Sequence, residues 1–108
     1  MAGMKISFIG AGRVAHHLAK ALSPKHQIVD VYSRSGAAAQ ALADQVAARA
    51  VTFAQDLNPE IDIAIIAVSD QAIEAVVRDI GVYLRNVCLV HTSGSTAMQL
   101  LSAVHDRV

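Results

Sequence analysis

Residues 63–68 read IAIIAV, an apolar run with no polar break. A strand with one wet face alternates apolar and polar side chains. An unbroken run instead describes a strand covered on both faces, the central member of a parallel sheet. Parallel neighbours need crossover connections, so the rest of the chain should alternate strand and helix spacing.

It does. Met4–Ile9 reads as a first strand and Ala11–Leu22 as a helix, with Val14, Ala15, Leu18 and Leu22 on one face and Arg13, His16, His17 and Lys20 on the other. Ser23-Pro24 stops that helix. Gln27–Tyr32 is a second strand, and Ser35 can cap an alanine-rich helix running to about Ala48. A short third strand is expected over Ala50–Phe53, then a turn at Asn58-Pro59 before the apolar run. Ser69 or Asp70 caps a helix carrying Ile73, Val76 and Val77, which extends past Gly81 to Leu84. Val87–Val90 forms a fifth strand and His91–Ser95 a turn. Thr96 and Gln99 make a capping box for a last helix bearing Ala97, Leu100, Leu101 and Val104. The pattern predicts an α/β fold of three αβα layers, a parallel sheet of order 3-2-1-4-5, and a crevice at the carboxyl ends of strands 1 and 4.

The first strand-to-helix junction carries Gly10-Ala11-Gly12-Arg13-Val14-Ala15, a G-x-G-x-x-A pattern in the strand–turn–helix context that gives it meaning. Gly10 permits the tight turn, Gly12 leaves room for a pyrophosphate to approach the backbone, and Ala15 lets the helix lie close to the sheet. Free N–H groups of the first helical turn then face an anion. His16 and His17 are adjacent, without the i, i+4 spacing of a helical metal pair, and read as solvated surface. No metal site is expected.

The end of the second strand selects between dinucleotides. An acid there accepts hydrogen bonds from the adenosine ribose of NAD. This chain has Ser33-Arg34-Ser35 instead, and Asp30 lies inside the strand, away from the tip. An arginine fork and two hydroxyls suit a 2′-phosphate, so the expected cofactor is NADP(H). At the fourth strand end, Val68 and Ser69 should line the nicotinamide ribose, while Asp70 is equally well read as a helix cap. After the fifth strand, His91 and Ser93 are the candidates for a catalytic role, His91 because an imidazole titrates near neutrality. A turn with a capping box also needs such residues for its own geometry, so no catalytic residue is assigned. Cys88 reads as core.

Composition closes several alternatives. Over 108 residues the chain is 54% hydrophobic and 17% charged with zero formal net charge, which excludes disorder and gives no basic stripe for nucleic acid. With a single cysteine there is no internal disulfide, and no apolar run is long enough to be a signal or membrane span. A cytoplasmic setting is expected. The last helix reaches Val108 without a glycine or proline stop, so residues 1–108 are expected to form the front domain of a longer polypeptide.

Taken in order, "ISFIGAGRVAHHLAKAL", "VYSRS", "DIAIIAVSDQAI" and "LVHTSGS" resemble the NADP-binding, Rossmann-like domains of the pyrroline-5-carboxylate reductase and 6-phosphogluconate dehydrogenase-like superfamily. They also resemble the deazaflavin (coenzyme F420)-dependent NADP reductase type of domain and oxidoreductases that join such a domain to a helical C-terminal domain of unknown function. The resemblance implies that Gly10, Ala11, Gly12, Arg13 and Val14 hold the pyrophosphate and that Ser33, Arg34 and Ser35 hold the 2′-phosphate. Val68 and Ser69 would line the ribose side. It also implies a small-molecule substrate and a homodimer, the substrate pocket and the dimer interface coming mainly from a helical domain absent from these residues, so the domain alone is expected to be inactive. Two other readings stay open: a dinucleotide-sensing module without turnover, and an S-adenosylmethionine-dependent methyltransferase. The second lacks the ribose-binding acid it usually needs.

Overall fold

The computed structural model describes residues 3–68, 70–84 and 87–91. Five strands, β1 (Lys5–Ile9), β2 (Gln27–Tyr32), β3 (Arg49–Val51), β4 (Ile63–Ile66) and β5 (Cys88–His91), pair in parallel in the order β3-β2-β1-β4-β5. Three helices, α1 (Arg13–Leu22), α2 (Gly36–Val46) and α3 (Asp70–Gly81), connect them. This is the Rossmann-like αβα order expected from the alternation.

The two sheet faces carry separate cores. Under α1 and α2 lie Ile6, Phe8, Ile28, Val31, Ile63 and Ile65 with Leu18 and Leu42. On the α3 side lie Ile9, Tyr32, Val51, Ala64 and Ile66 with Leu57 and Ile80. Every residue of β4 is buried, which is why its sequence never alternates. Small residues bring the helices close: α1 buries Ala15, Leu18, Ala19 and Leu22, and α2 buries Ala39, Leu42, Ala43 and Val46, each at i, i+3, i+4 and i+7 spacing.

Several boundaries differ from expectation. Helix α1 starts at Arg13, not Ala11, and Val14 is 49% exposed, not buried. Val14 stands at the rim of the apolar stripe, where the helix start projects at the carboxyl edge of the sheet. Helix α2 ends at Val46 because Ala47 turns left-handed (φ 54°) and its N–H bonds back to Ala43. Such a stop normally announces itself with glycine, and alanine hides it. Strand β3 is Arg49–Val51, so Phe53 lies outside it, 64% exposed. Strand β4 stops at Ile66, short of Val68. Helix α3 ends at Gly81; Tyr83 and Leu84 bond to the Ile80 carbonyl in a turn, and Leu84 is buried there. Strand β5 runs one residue further than expected, so His91 is its last residue and not part of a turn. The turn at 92–95 and the last helix with its capping box lie outside the described residues.

Between β1 and β2 the register slips at Ile6/Ser7, pairing Ile6 with Ile28 but Ser7 with Asp30. The extra residue sets Val29 and Asp30 along one shallow cleft on the α3 side. Asp30 is fully buried, and its partners are described below. Ser7, opposite it, is equally buried, and its hydroxyl has no hydrogen-bond partner among the described residues. An unsatisfied buried hydroxyl carries a desolvation cost with nothing to offset it. Ser7→Ala is therefore expected to stabilise the chain by about 1 kcal/mol, read from urea or thermal unfolding. A comparable loss of stability would reveal a partner for this hydroxyl.

Candidate cofactor cleft

The site grows from Gly10. Its N–H donates to the Tyr32 carbonyl at 2.7 Å, continuing the β1–β2 ladder, while Ala67 N–H donates to Ile9 at 2.7 Å on the other side. The tips of β2 and β4 thus converge on one residue. Gly10 adopts φ +112°, and a β-carbon there would lie 2.3 Å from the Ala67 carbonyl oxygen. Only glycine fits, for reasons internal to the fold.

Gly12 is different. It is the N-cap of α1 in ordinary extended geometry (φ −85°, ψ −165°), and a β-carbon would meet nothing within 4 Å. The fold does not require a glycine there; a ligand lying against the backbone would. No side chain caps α1 and its first turn holds no acid, so the positive end of the helix dipole is left uncompensated by the helix's own side chains. Ala11, Gly12, Arg13 and Val14 surround this mouth, the last three exposed.

Beside it lies a cleft of about 450 Å³ walled by Gly10, Tyr32, Ser33, Arg34, Val68, Ala75 and Val76. The β2 tip forms one wall. Ser33 N–H donates to the Val51 carbonyl at 3.1 Å, docking the tip on β3. Ser33 Oγ accepts from Ser35 N–H at 3.2 Å, and Ser35 Oγ accepts from Ala38 N–H at 3.2 Å, capping α2 as expected. Both hydroxyls act as acceptors toward the protein, leaving their hydrogens for an acceptor such as a phosphate oxygen. Arg34 is exposed at the lip, and among the described residues the wall contains no carboxylate. Asp30 is held away: Oδ1 accepts from Arg49 Nε at 2.9 Å and Oδ2 from Asn58 N–H at 2.8 Å. The hydrogen bond with Asp30, and then its charge, raise the Arg49 pKa above its ordinary value.

The cleft therefore unites Gly10, Ser33, Arg34 and Val68, while Ala11, Gly12, Arg13 and Val14 stand at the helix mouth and Ser35 behind the tip. Tyr32, Ala75 and Val76 also line it, though sequence reasoning did not name them for the site. Tyr32 was foreseeable as the residue preceding the tip, but Val76 reads as core from its helical spacing. Ser69, Ser93 and the side chain of His91 lie outside the described residues; the His91 backbone pairs with Ile66 of β4. Among the described residues no cluster of His, Cys, Asp or Glu could hold a metal ion, and no helix is long and apolar enough to cross a membrane.

A cleft that pairs an uncapped helix mouth with a hydroxyl- and arginine-bearing, acid-free β2 tip fits a phosphorylated dinucleotide. The two glycines separate the demands of fold and ligand. Gly10→Ala should cost about 2 kcal/mol or more in unfolding free energy, through strain and the clash with Ala67. Gly12→Ser should leave stability unchanged or raise it by a few tenths, roughly, since serine caps a helix better than glycine. Equal destabilisation by both substitutions would contradict this division.

Comparison with known proteins agrees. The family described as NADP oxidoreductase, coenzyme F420-dependent, matches residues 5–94. A candidate NADP oxidoreductase from Bacteroides fragilis is 36% identical, with TM-score 0.81 over 87% of this chain and 37% of its own. An imine reductase from Myxococcus stipitatus, solved with NADP+, is 26% identical with TM-score 0.70 over 95% of this chain and 37% of its own. A protein from Thermotoga maritima is 26% identical with TM-score 0.67 over 82% and 33%. The chain thus spans about a third of the length of these solved structures. No curated protein matches it. Matched along most of its length, the chain belongs to the NADP oxidoreductase, coenzyme F420-dependent, family and is an NADP-binding Rossmann-like domain of it.

Proposed function

We propose that this domain presents NADP(H) for hydride exchange with a small substrate held by another part of a longer, cytoplasmic polypeptide, which dimerises through that further part. The observation that carries the reading is the acid-free β2 tip, with Ser33 and Arg34 in the cleft wall beside the uncapped start of α1. In this reading the amides and side chains of Gly10, Ala11, Gly12, Arg13 and Val14 hold the pyrophosphate. Ser33, Arg34 and Ser35 hold the 2′-phosphate, and Val68 and Ser69 border the nicotinamide ribose. The nicotinamide supplies the hydride chemistry, and the protein supplies orientation and exclusion of water. His91 closes β5 on the same carboxyl edge and, with Ser93, is the candidate for handling the substrate's proton.

A 2′-phosphate brings extra negative charge to an arginine on a strand tip, Ser33-Arg34-Ser35, that carries no carboxylate. A charge-assisted hydrogen bond of this kind contributes roughly 1.5–3 kcal/mol. Isothermal titration should therefore show NADPH binding tighter than NADH by about one to two orders of magnitude. Arg34→Ala should remove most of that advantage while leaving NADH binding little changed. Gly12→Ser should weaken both dinucleotides together. Equal affinity for NADPH and NADH in the unaltered chain would contradict the assignment, as would tighter binding of S-adenosylmethionine.

A further inference from the structure

Asp30 is a fully buried carboxylate with no part in the cleft. Taking a carboxylate out of water is costly even when it is paired, and its cation Arg49 stays largely in solvent, so the presence of Asp30 in the sheet calls for a geometric reason. Its partners supply one. Asp30 stands opposite Arg49 in the β2–β3 pairing and accepts from its Nε, while Arg49 Nη2 also donates to the Asp56 carbonyl and Asn58 N–H donates to the second carboxylate oxygen. One carboxylate thus gathers the first residue of β3 and the loop that follows it.

Strand β3 needs such a clamp. It is three residues long and lies at the margin of the sheet. At its start Arg49 is fixed on Asp30, and at its end the Val51 carbonyl takes the Ser33 N–H. From Ser33 the contacts continue through Ser33 Oγ to Ser35 N–H, and through Ser35 Oγ to the first turn of α2. The Asp30–Arg49 pair, its carboxylate buried and its guanidinium exposed, is therefore joined to the β2 tip through one short strand.

We infer that Asp30 and Arg49 are positioning residues which, by fixing β3 and through it the Ser33–Ser35 tip, set the discrimination between phosphorylated and unphosphorylated dinucleotides. The inference rests on reading that tip as the 2′-phosphate site. Neither residue touches the ligand; both act through the Val51–Ser33 contact.

The test is the ratio of NADH to NADPH dissociation constants, measured by titration of the 108-residue chain alongside its thermal unfolding. A merely structural role lowers the folded fraction, which weakens both dinucleotides alike and leaves the ratio untouched. A displaced tip weakens NADPH selectively. Arg49→Ala is expected to lower the ratio about fivefold or more, with Arg49→Lys, which keeps a cation for Asp30, recovering part of it. Should Arg49→Ala fail to fold, Asp30→Asn keeps the volume and an acceptor for Asn58, and is expected to lower the ratio by about twofold to threefold. An unchanged ratio in the folded variants overturns the positioning role and leaves the 2′-phosphate site standing. Equal binding of both dinucleotides by the unaltered chain overturns the site, and this inference with it.

Discussion

Two strand tips meet on one glycine. Gly10 takes the Tyr32 carbonyl on its N–H and presses its bare α-carbon against the Ala67 carbonyl. Its positive φ turns the chain out of β1 toward the start of α1. The amides at the start of α1, the β2 tip and the end of β4 then surround one opening. That junction exists because β1 is flanked on both sides by parallel neighbours entered through opposite crossovers, the switch point at which open α/β sheets expose their ligands.

Charge is sorted around this opening. The acid of β2 is buried and paired with Arg49, while Arg34 stays at the cleft lip. The helix start that faces the same space has neither a capping side chain nor an acid in its first turn. An anion entering there meets oriented dipoles and a guanidinium with no competing carboxylate among the described residues of the wall, which favours a phosphate-rich ligand over a neutral one. The separation of fold from ligand demands at Gly10 and Gly12 has the same origin: one glycine answers to the sheet, the other to whatever lies against the helix mouth.

Much of this was legible in residue order. The unbroken IAIIAV run announced a doubly covered strand, and the regular alternation around it fixed the sheet order. What stayed hidden depends on conformations that side-chain type does not encode. Ala47 ends α2 left-handed without a glycine, and Gly81 ends α3 where apolar spacing still ran on to Leu84. The β1–β2 register slip that places Asp30 opposite Ser7 leaves no composition mark. For the cleft, the residues at strand tips could be named because tips converge by topology. Ala75 and Val76 could not, since a helix flank becomes a wall only once α3 has settled over the sheet.

The most direct test of the account is an amide-resolved NMR titration with NADP+, with NAD+ as the comparison. The account predicts that shifts concentrate on Gly10 to Ala15 for both ligands, with a second group from Ser33 to Ala37 moved strongly by NADP+ alone. Resonances at the α1 mouth that stay fixed while another face of the chain responds would contradict it.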